Sequence, residues 1–480
     1  MSKFQRLAKT TARGTLWIYA AFIIGKGLVF VSTIILARLL APDDFGLLAL
    51  GLITINYLDA LKDLGVGYAL IYRQEDPERT ANNAFFISVG TGTLLSLIAF
   101  LIAPLVGVFF EEPRVVPLVQ VLAIKFLFSS LGSIHGTRLQ KQLDFRRRFV
   151  SEVGRSFIKG GISVLMAWQG FGVWSLVWGQ LGGEVASMLA YWWLTRWIPG
   201  LTFDFRITKE LIVYGSQTII ISVMSMIDDN MDYLVIGRRM DVIHLGFYMM
   251  AFRLPELIVI NVCHIVSRAL FPAYATIKHN AQALQSGYLT ALRYISLITV
   301  PAGLGLFIIA PEFVRFFYTD RWSPAIPAMQ CLSLYAVVYS LSFVDGDIYK
   351  STGRLGILNA LNVLNLLLTV PVLWFAAGKS IFYVAIGQLL TSLVVTIVKL
   401  GVVSRVMNIR PLAIFHALRP ALLAGGVMFV GTFGLYTQIH QLHLIAQLLI
   451  VVLAGASIYI ATLWFTDRDI FKQATALIST

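Results

Sequence analysis

The chain has 480 residues, of which 58% are hydrophobic and only 13% charged, with a formal net charge of +13. A soluble domain averages about 25% charged residues, so an ordinary soluble enzyme is excluded. Disorder is excluded as well, because a chain this apolar and aromatic buries too much surface to stay unfolded. A membrane-spanning helix needs about 20 apolar residues to cross about 30 Å of hydrocarbon, so this length holds roughly a dozen to fifteen spans and no sizeable soluble domain.

The chain opens on Lys3, Arg6, Lys9 and Arg13 and then an apolar run from Thr15 to Leu36. That run is too long for the h-region of a signal peptide and reads as a retained first helix. Apolar runs bounded by Pro, Gly and charge clusters then predict fourteen helices, near 15–38, 45–66, 83–108, 115–138, 150–169, 172–194, 209–236, 243–270, 288–311, 325–347, 354–377, 380–404, 418–438 and 444–465. With the N-terminus on the cytoplasmic side, basic residues concentrate in the inner segments, as in Arg138, Lys141 and Arg146–Arg148, or Arg405, Arg410 and Arg419. The outer segments keep Arg38, Arg114, Arg238, Arg239, Arg315, Arg321 and Lys379. A bias of roughly three to one obeys the positive-inside rule and predicts two cytoplasmic termini. Most of the net charge is thereby topology and contact with anionic inner-leaflet lipid, with no nucleic-acid partner.

A repeat is visible within this order. Arg38-Leu39-Leu40 with Phe45-Gly46 echoes Arg238-Arg239-Met240 with Leu245-Gly246, and Val173-Trp174 with Gly179-Gln180-Leu181 echoes Ile381-Phe382 with Gly387-Gln388-Leu389. The expected architecture is an all-α integral membrane protein with six-helix lobes at 1–199 and 200–405. They are related by an axis along the membrane normal, with two added helices and a tail at 406–480.

Ionisable residues inside a span cost about 2.5–3.5 kcal/mol each and must face water or a partner. Lys26, Lys125, Glu184, Arg253 and Glu256 are expected near mid-membrane, Lys159, Lys399, Asp59, Asp63 and Asp345 nearer the cytoplasm, and Asp228, Asp229 and Asp232 nearer the outer face. Spacings of three and four gather them on helix faces. Lys125, Ser129, Ser133 and Gly136 form one such stripe, Gln180, Glu184, Ser187 and Tyr191 a second, and Glu152, Arg155 and Lys159 a third. Arg253, Glu256, His264 and Arg268 follow on a helix interrupted by Pro255, Ser225, Asp228 and Asp232 line another face, and Asn359, Asn362 and Asn365 form an amide ladder. Such faces predict a hydrated cavity, the architecture of a transporter. The bland alternatives are mutual neutralisation of Arg253 and Glu256, snorkelling of Lys159 and Lys399, and helix–helix hydrogen bonding by the asparagines.

Other chemistry is rejected on composition. Gly378-Lys379-Ser380 lacks the upstream glycine of a phosphate loop, where Leu373 stands. His440 and His443 have no carboxylate or thiol cluster for a metal, and Cys263 and Cys331 lie in apolar runs as small hydrophobes. Asp228-Asp229-Asn230-Met231-Asp232 and the pair Asp59 and Asp63 resemble the acidic motifs with which intramembrane prenyltransferases hold magnesium-diphosphate. Their expected depths put them tens of ångströms apart, too far to share a metal.

The stretch Leu36-Ala37-Arg38-Leu39-Leu40-Ala41-Pro42-Asp43-Asp44-Phe45-Gly46 resembles the opening signature of Wzx-type polysaccharide transporters of the multidrug/oligosaccharidyl-lipid/polysaccharide exporter superfamily. Asp232 to Arg238 with Leu245-Gly246-Phe247-Tyr248 is similar to the start of their second half, and Gly170-Phe171-Gly172-Val173-Trp174 to the turn before their sixth helix. The resemblance implies a non-enzymatic flippase in the bacterial inner membrane that moves undecaprenyl-diphosphate-linked oligosaccharides by alternating access. Such a cavity is cationic, which assigns Lys26, Lys125, Arg155, Lys159 and Arg253 to the headgroup, and Glu184, Asp228, Asp232 and Glu256 to coupling or charge balance. No metal or organic cofactor is expected, only coupling to H+ or Na+; membrane lipid, a polysaccharide polymerase and chain-length proteins are the other expected partners. A multidrug antiporter of the same superfamily is the alternative, with a net acidic cavity as its signature. A membrane polysaccharide polymerase or transferase is a third reading, which would want a long outer loop that the sequence lacks.

Overall fold

The computed structural model describes residues 3–62, 66–73, 75–200, 202–439 and 441–467, where every regular element is a helix. Asp63, His440, Arg468 and Lys472 lie outside the described residues, as do the side chains of Lys3, Arg6, Lys9, Arg13, Ser225 and Asp229. Contacts divide the chain into two compact units, Met1–Gly246 and Phe247–Thr480.

The first unit holds α1 (Lys3–Leu39), α2 (Pro42–Lys62), α3 (Val66–Tyr72), α4 (Pro77–Phe109), α5 (Val115–Ala123), α6 (Lys125–Lys141), α7 (Phe145–Trp168), α8 (Val173–Thr195) and α9 (Phe205–Arg239), and the start of α10 (Val242–Pro255). The sequence repeat groups α9 with the second half, whereas here α9 packs on α2, α3 and α4 within the first unit. Local signals set the helix ends. Pro77 opens α4, Asp144 caps α7 by accepting from the Arg147 N–H at 3.2 Å, and Asp204 caps α9 by accepting from the Arg206 N–H at 2.8 Å. Between α7 and α8, Gly170 and Gly172 take φ of 85° and 54°, a region that side chains with a Cβ disfavour. The motif Gly-Phe-Gly is therefore a requirement of this turn.

Small residues let these helices approach closely. On α7, Gly160 would touch Ser32 of α1, and on α8 Gly179 faces Ser163 and Gly183 faces Lys159 and the Arg155 carbonyl. The tightest approach joins the two repeat motifs. A Cβ on Gly46 would collide with the Val242 carbonyl, and one on Gly246 with the Pro42 carbonyl. The starts of α2 and α10 thus cross reciprocally, glycine against backbone, at positions 200 residues apart in sequence.

The second unit continues from α10 through a π turn at Glu256–Ile260 into α11 (Asn261–Ile277). It goes on with α12 (Ala281–Phe313), α13 (Ile326–Ser340), α14 (Asp345–Ser351), α15 (Leu355–Ala377), α16 (Ile381–Val406), α17 (Pro411–Gln438) and α18 (Leu444–Thr466). Its centre packs α12 against α13 and α17, and α16 against α13 and α15. One core joins Tyr274, Tyr288, Leu292, Ile348, Tyr349 and Val403, all buried.

Among the described residues, ten segments are long and apolar enough to cross a membrane: Ala20–Leu39, Pro77–Phe109, Val115–Lys141, Val242–Ile277, Ala281–Tyr318, Asp320–Ser351, Leu355–Ala377, Ile381–Val406, Pro411–Gln438 and Leu444–Thr466. Their outward residues are large and apolar, with Val108 at 76%, Phe375 at 76% and Phe465 at 78% exposure. Helices that turn such side chains outward over their whole length have lipid as their solvent. The protein is a multi-pass helical membrane protein.

Candidate functional site

Three of the spans change backbone geometry at a charged residue. Ile124 separates α5 from Lys125, Pro255 precedes the π turn that begins at Glu256, and residues 341–344 separate α13 from Asp345. Irregular backbone within a bilayer persists only where protein or a wet cavity satisfies it, so these breaks mark the interior of each unit. The interruption expected at Pro255 takes the form of a π turn rather than a stop, a form of helix found often at functional sites.

In the first unit a charged face runs across α1, α2, α6, α7 and α8. Lys125, 9% exposed, places Nζ 3.9 Å from Asp59 Oδ2, and Lys62 approaches Asp59 Oδ1 at 3.3 Å while donating to Ser129 Oγ at 2.9 Å. Asp59 and Lys125 therefore sit at one level, not at the separate depths expected from counting along their own helices; the break at Ile124 and helix tilt undo that count. On α7, Arg148 pairs with Glu152 at 2.7 Å, and Arg155 reaches across to Glu184 of α8. Arg155 is 44% exposed and Glu184 only 5%, so this is a buried carboxylate held by a cation that keeps one side open. Lys159, one turn further, and Lys26 of α1 are half-buried, Lys26 lying 5.5 Å from the Phe22 ring centre.

The polar stripe of α8 follows the same pattern. Below Glu184, Ser187 meets the Ser151 hydroxyl at 3.1 Å, and the Tyr191 ring packs where a Cβ on Gly136 would sit 3.2 Å away. On α9, Asp232 is buried and accepts from the Tyr233 N–H at 2.8 Å, while Asp228 is half-buried. Tyr57 of α2 lies within electrostatic reach of Asp232. Asp232 of the acidic motif thus faces α2. Asp59 is nonetheless engaged by two lysines, and no group of three His, Cys, Asp or Glu among the described residues could hold a metal ion. Cys263 and Cys331 are free thiols.

In the second unit, Arg253 and Glu256 approach to 3.5 Å across the start of the π turn, both half-buried. The neutralising pair weighed for them is therefore formed. His264 turns its ring onto Phe343 at 5.0 Å, and Asn365 accepts from the Thr369 hydroxyl at 3.3 Å.

Reasoning along the sequence missed Lys62. An i, i+3 pair with Asp59 was its only signal, and the meeting of that pair with Lys125 depends on helix packing. The ledger of the first unit's face is unequal. Lys26, Lys62, Lys125, Arg148, Arg155 and Lys159 outnumber Asp59, Glu152 and Glu184 on the same helices, and Asp228 and Asp232 of α9 narrow the surplus to one. Such a surplus in a water-excluding interior attracts anions and binds phosphate or carboxylate oxygens with charge-assisted hydrogen bonds.

A multi-pass helical protein with a cationic interior face is of the transporter class. The chain belongs to the polysaccharide biosynthesis protein family, which matches residues 35–327. It is 26% identical over 398 residues to the lipopolysaccharide biosynthesis protein WzxC of Escherichia coli, covering 82% of this chain and 80% of that one. It is 25% identical to the teichuronic acid biosynthesis protein TuaB of Bacillus subtilis, over 83% of each. The fold is that of the lipid II flippase MurJ in an inward closed conformation, with a TM-score of 0.76, 14% identity, and 95% of this chain and 99% of the other covered. An inward-facing multidrug transporter of the MATE family shares the fold at a TM-score of 0.67 and 16% identity, over 80% and 94%.

Proposed function

We propose that this protein flips a polyprenyl-diphosphate-linked oligosaccharide from the inner to the outer leaflet of a bacterial cytoplasmic membrane, for assembly of a surface polysaccharide. The observation that carries this reading is the set of cations, Lys26, Lys125, Arg155 and Lys159, that α1, α6 and α7 hold inside the first unit. A diphosphate stripped of water needs positive charge and hydrogen-bond donors, and an organic cation would be repelled. Family membership and the polysaccharide roles of the relatives support the same reading; the multidrug alternative has only the shared fold.

In this mechanism Lys26, Lys125, Arg155, Lys159 and Arg253 attract the headgroup. While no headgroup is bound, Glu184, Asp228 and Asp232 balance the cations of the first unit and Glu256 balances Arg253 in the second, so that no cation is buried without a counter-charge. The polyprenyl tail stays in lipid. We assign α2, α7, α8 and α9 as further spans, making fourteen with both termini cytoplasmic, in two six-helix halves that alternate access. Helix α7 falls short on apolarity alone because it carries Arg146, Arg147, Arg148, Glu152, Arg155 and Lys159, of which Arg155 is answered by Glu184 of α8.

The test is a deletion strain complemented with variants. Lys125→Ala and Arg253→Ala should insert normally while lipid-linked repeat units accumulate on the cytoplasmic side. Normal surface polysaccharide with both variants would remove these residues from the mechanism, and altered drug resistance without a polysaccharide phenotype would replace the substrate class.

A further inference from the structure

The second unit contains a buried polar site that the charged face does not use. Helix α13 ends at Ser340 and α14 restarts at Asp345, which puts Asp345 and Asp347 into the first turn of a short buried helix. Asp345 is 1% and Asp347 4% exposed, and around them stand Tyr274 of α11, Tyr288 of α12 and Tyr349 of α14, each almost wholly buried. The Tyr288 hydroxyl donates to Asp345 Oδ1 at 2.8 Å, and Ser267 of α11 bonds Asp347. Four further oxygens have no hydrogen-bond partner: Asp345 Oδ2, Asp347 Oδ2, Tyr274 Oη and Tyr349 Oη. They belong together, since Tyr274 lies within electrostatic reach of both carboxylates and Tyr349 within reach of Asp345.

The nearby cations stand off. Lys399 of α16 acts on Asp345, Lys350 on Asp347 and Arg354 on Tyr349, all at a distance; among the described residues neither carboxylate forms an ion pair. Two carboxylates buried on these terms are costly if both are ionised, and each orphaned oxygen adds to that cost. Water could supply hydrogen bonds but no charge. A small cation supplies both. A proton on Asp345 Oδ2 makes that atom a hydrogen-bond donor and removes one of the two buried charges. A sodium-sized ion would instead collect the hard carboxylate and phenol oxygens directly. With only two carboxylates present, a divalent ion is disfavoured.

We propose that Asp345, Asp347, Tyr274, Tyr288 and Tyr349 form a binding site for a small monovalent cation, a proton or a sodium ion, that holds α14 against α11 and α12. The inference concerns cation binding alone and does not rest on the transport reading.

The experiment is thermal unfolding of the full-length protein in detergent. Sodium chloride is exchanged for choline chloride at constant ionic strength, and each condition is repeated between about pH 5 and pH 8. A sodium-dependent rise in the wild-type midpoint identifies sodium; a rise toward low pH that ignores sodium identifies the proton. In both cases Asp345→Asn should abolish the response and Tyr274→Phe should diminish it, while Lys379→Ala, in a distant turn, should keep it. A wild-type midpoint indifferent to both, or a full response in Asp345→Asn, overturns the proposal. Should Asp345→Asn fail to fold, infrared difference spectra of the wild type between the same conditions still decide: a carboxyl band must shift or appear, and a flat spectrum overturns the proposal.

Discussion

The reciprocal crossing of α2 and α10 is tested by Gly46→Ala. The new Cβ would lie 2.7 Å from the carbonyl carbon of Val242 and nearer still to its oxygen, and at Gly246 it would lie 2.8 Å from the carbonyl carbon of Pro42. Ordinary contact begins at 3.4 Å, so either methyl must separate two backbones by at least about 0.6 Å, and no side-chain rotation can relieve it. Overpacking costs about 1–3 kcal/mol, and backbone on both sides puts these variants at the upper end. The helix propensity of Ala over Gly returns about 1 kcal/mol, leaving a net loss of about 2 kcal/mol. Thermal unfolding of purified Gly46→Ala, Gly246→Ala and the double variant would measure it. Both methyls occupy one crossing, so the separation made by the first serves the second, and the double variant should lose less than the two singles added. Additive losses, or a wild-type midpoint in either single variant, would refute the crossing.

Three further outcomes are expected. Arg155→Ala leaves Glu184 charged and buried and should cost near the lower end of about 3–5 kcal/mol, more than Glu184→Gln, which leaves a half-exposed arginine; equal losses in unfolding experiments would contradict this asymmetry. Ala at Gly170, where φ is 85°, should cost about 1–2 kcal/mol, read as a lower midpoint, and Gly356→Ala in open helix should not. In the turn between α4 and α5, the side-chain hydrogen bond from Arg114, opposed by modest burial, holds the Glu112 carboxyl below its usual range. A depressed carboxylate contributes stability above its unfolded value that is lost as pH falls through the folded one. The midpoint should therefore drop more steeply below about pH 4 in the wild type than in Arg114→Ala, by a small and salt-sensitive amount because Arg114 is 55% exposed.

The membrane class and the approximate course of the long helices were legible because they depend on local properties. Apolar run length, Pro77 and Asp144 at helix starts, and glycines at Gly170 and Gly172 each act within a few residues. The candidate site was half legible. Arg155, Lys125 and Glu184 stand out as charges in apolar surroundings, but which carboxylate answers which cation is a property of two helices at once. Arg253 and Glu256, on one helix, were readable as a pair; Arg155 with Glu184, 29 residues apart, was not. Depth also misled, since counting residues from a span end ignores tilt and the interruption at Ile124, and this separated Asp59 from Lys125.

By itself the sequence determined that this chain lives in a membrane, roughly where its long helices run, and that charge is placed inside them at a cost that demands a reason. Only the tertiary structure decided how that cost is met. It matched the cations of α6 and α7 with carboxylates of α2 and α8, and it gathered Asp345 and Asp347 with tyrosines from α11, α12 and α14. The physical reason is the range of the forces: hydrophobic periodicity and capping act along one helix, whereas the neutralisation of a buried charge depends on whatever the packing of other helices brings within a few ångströms.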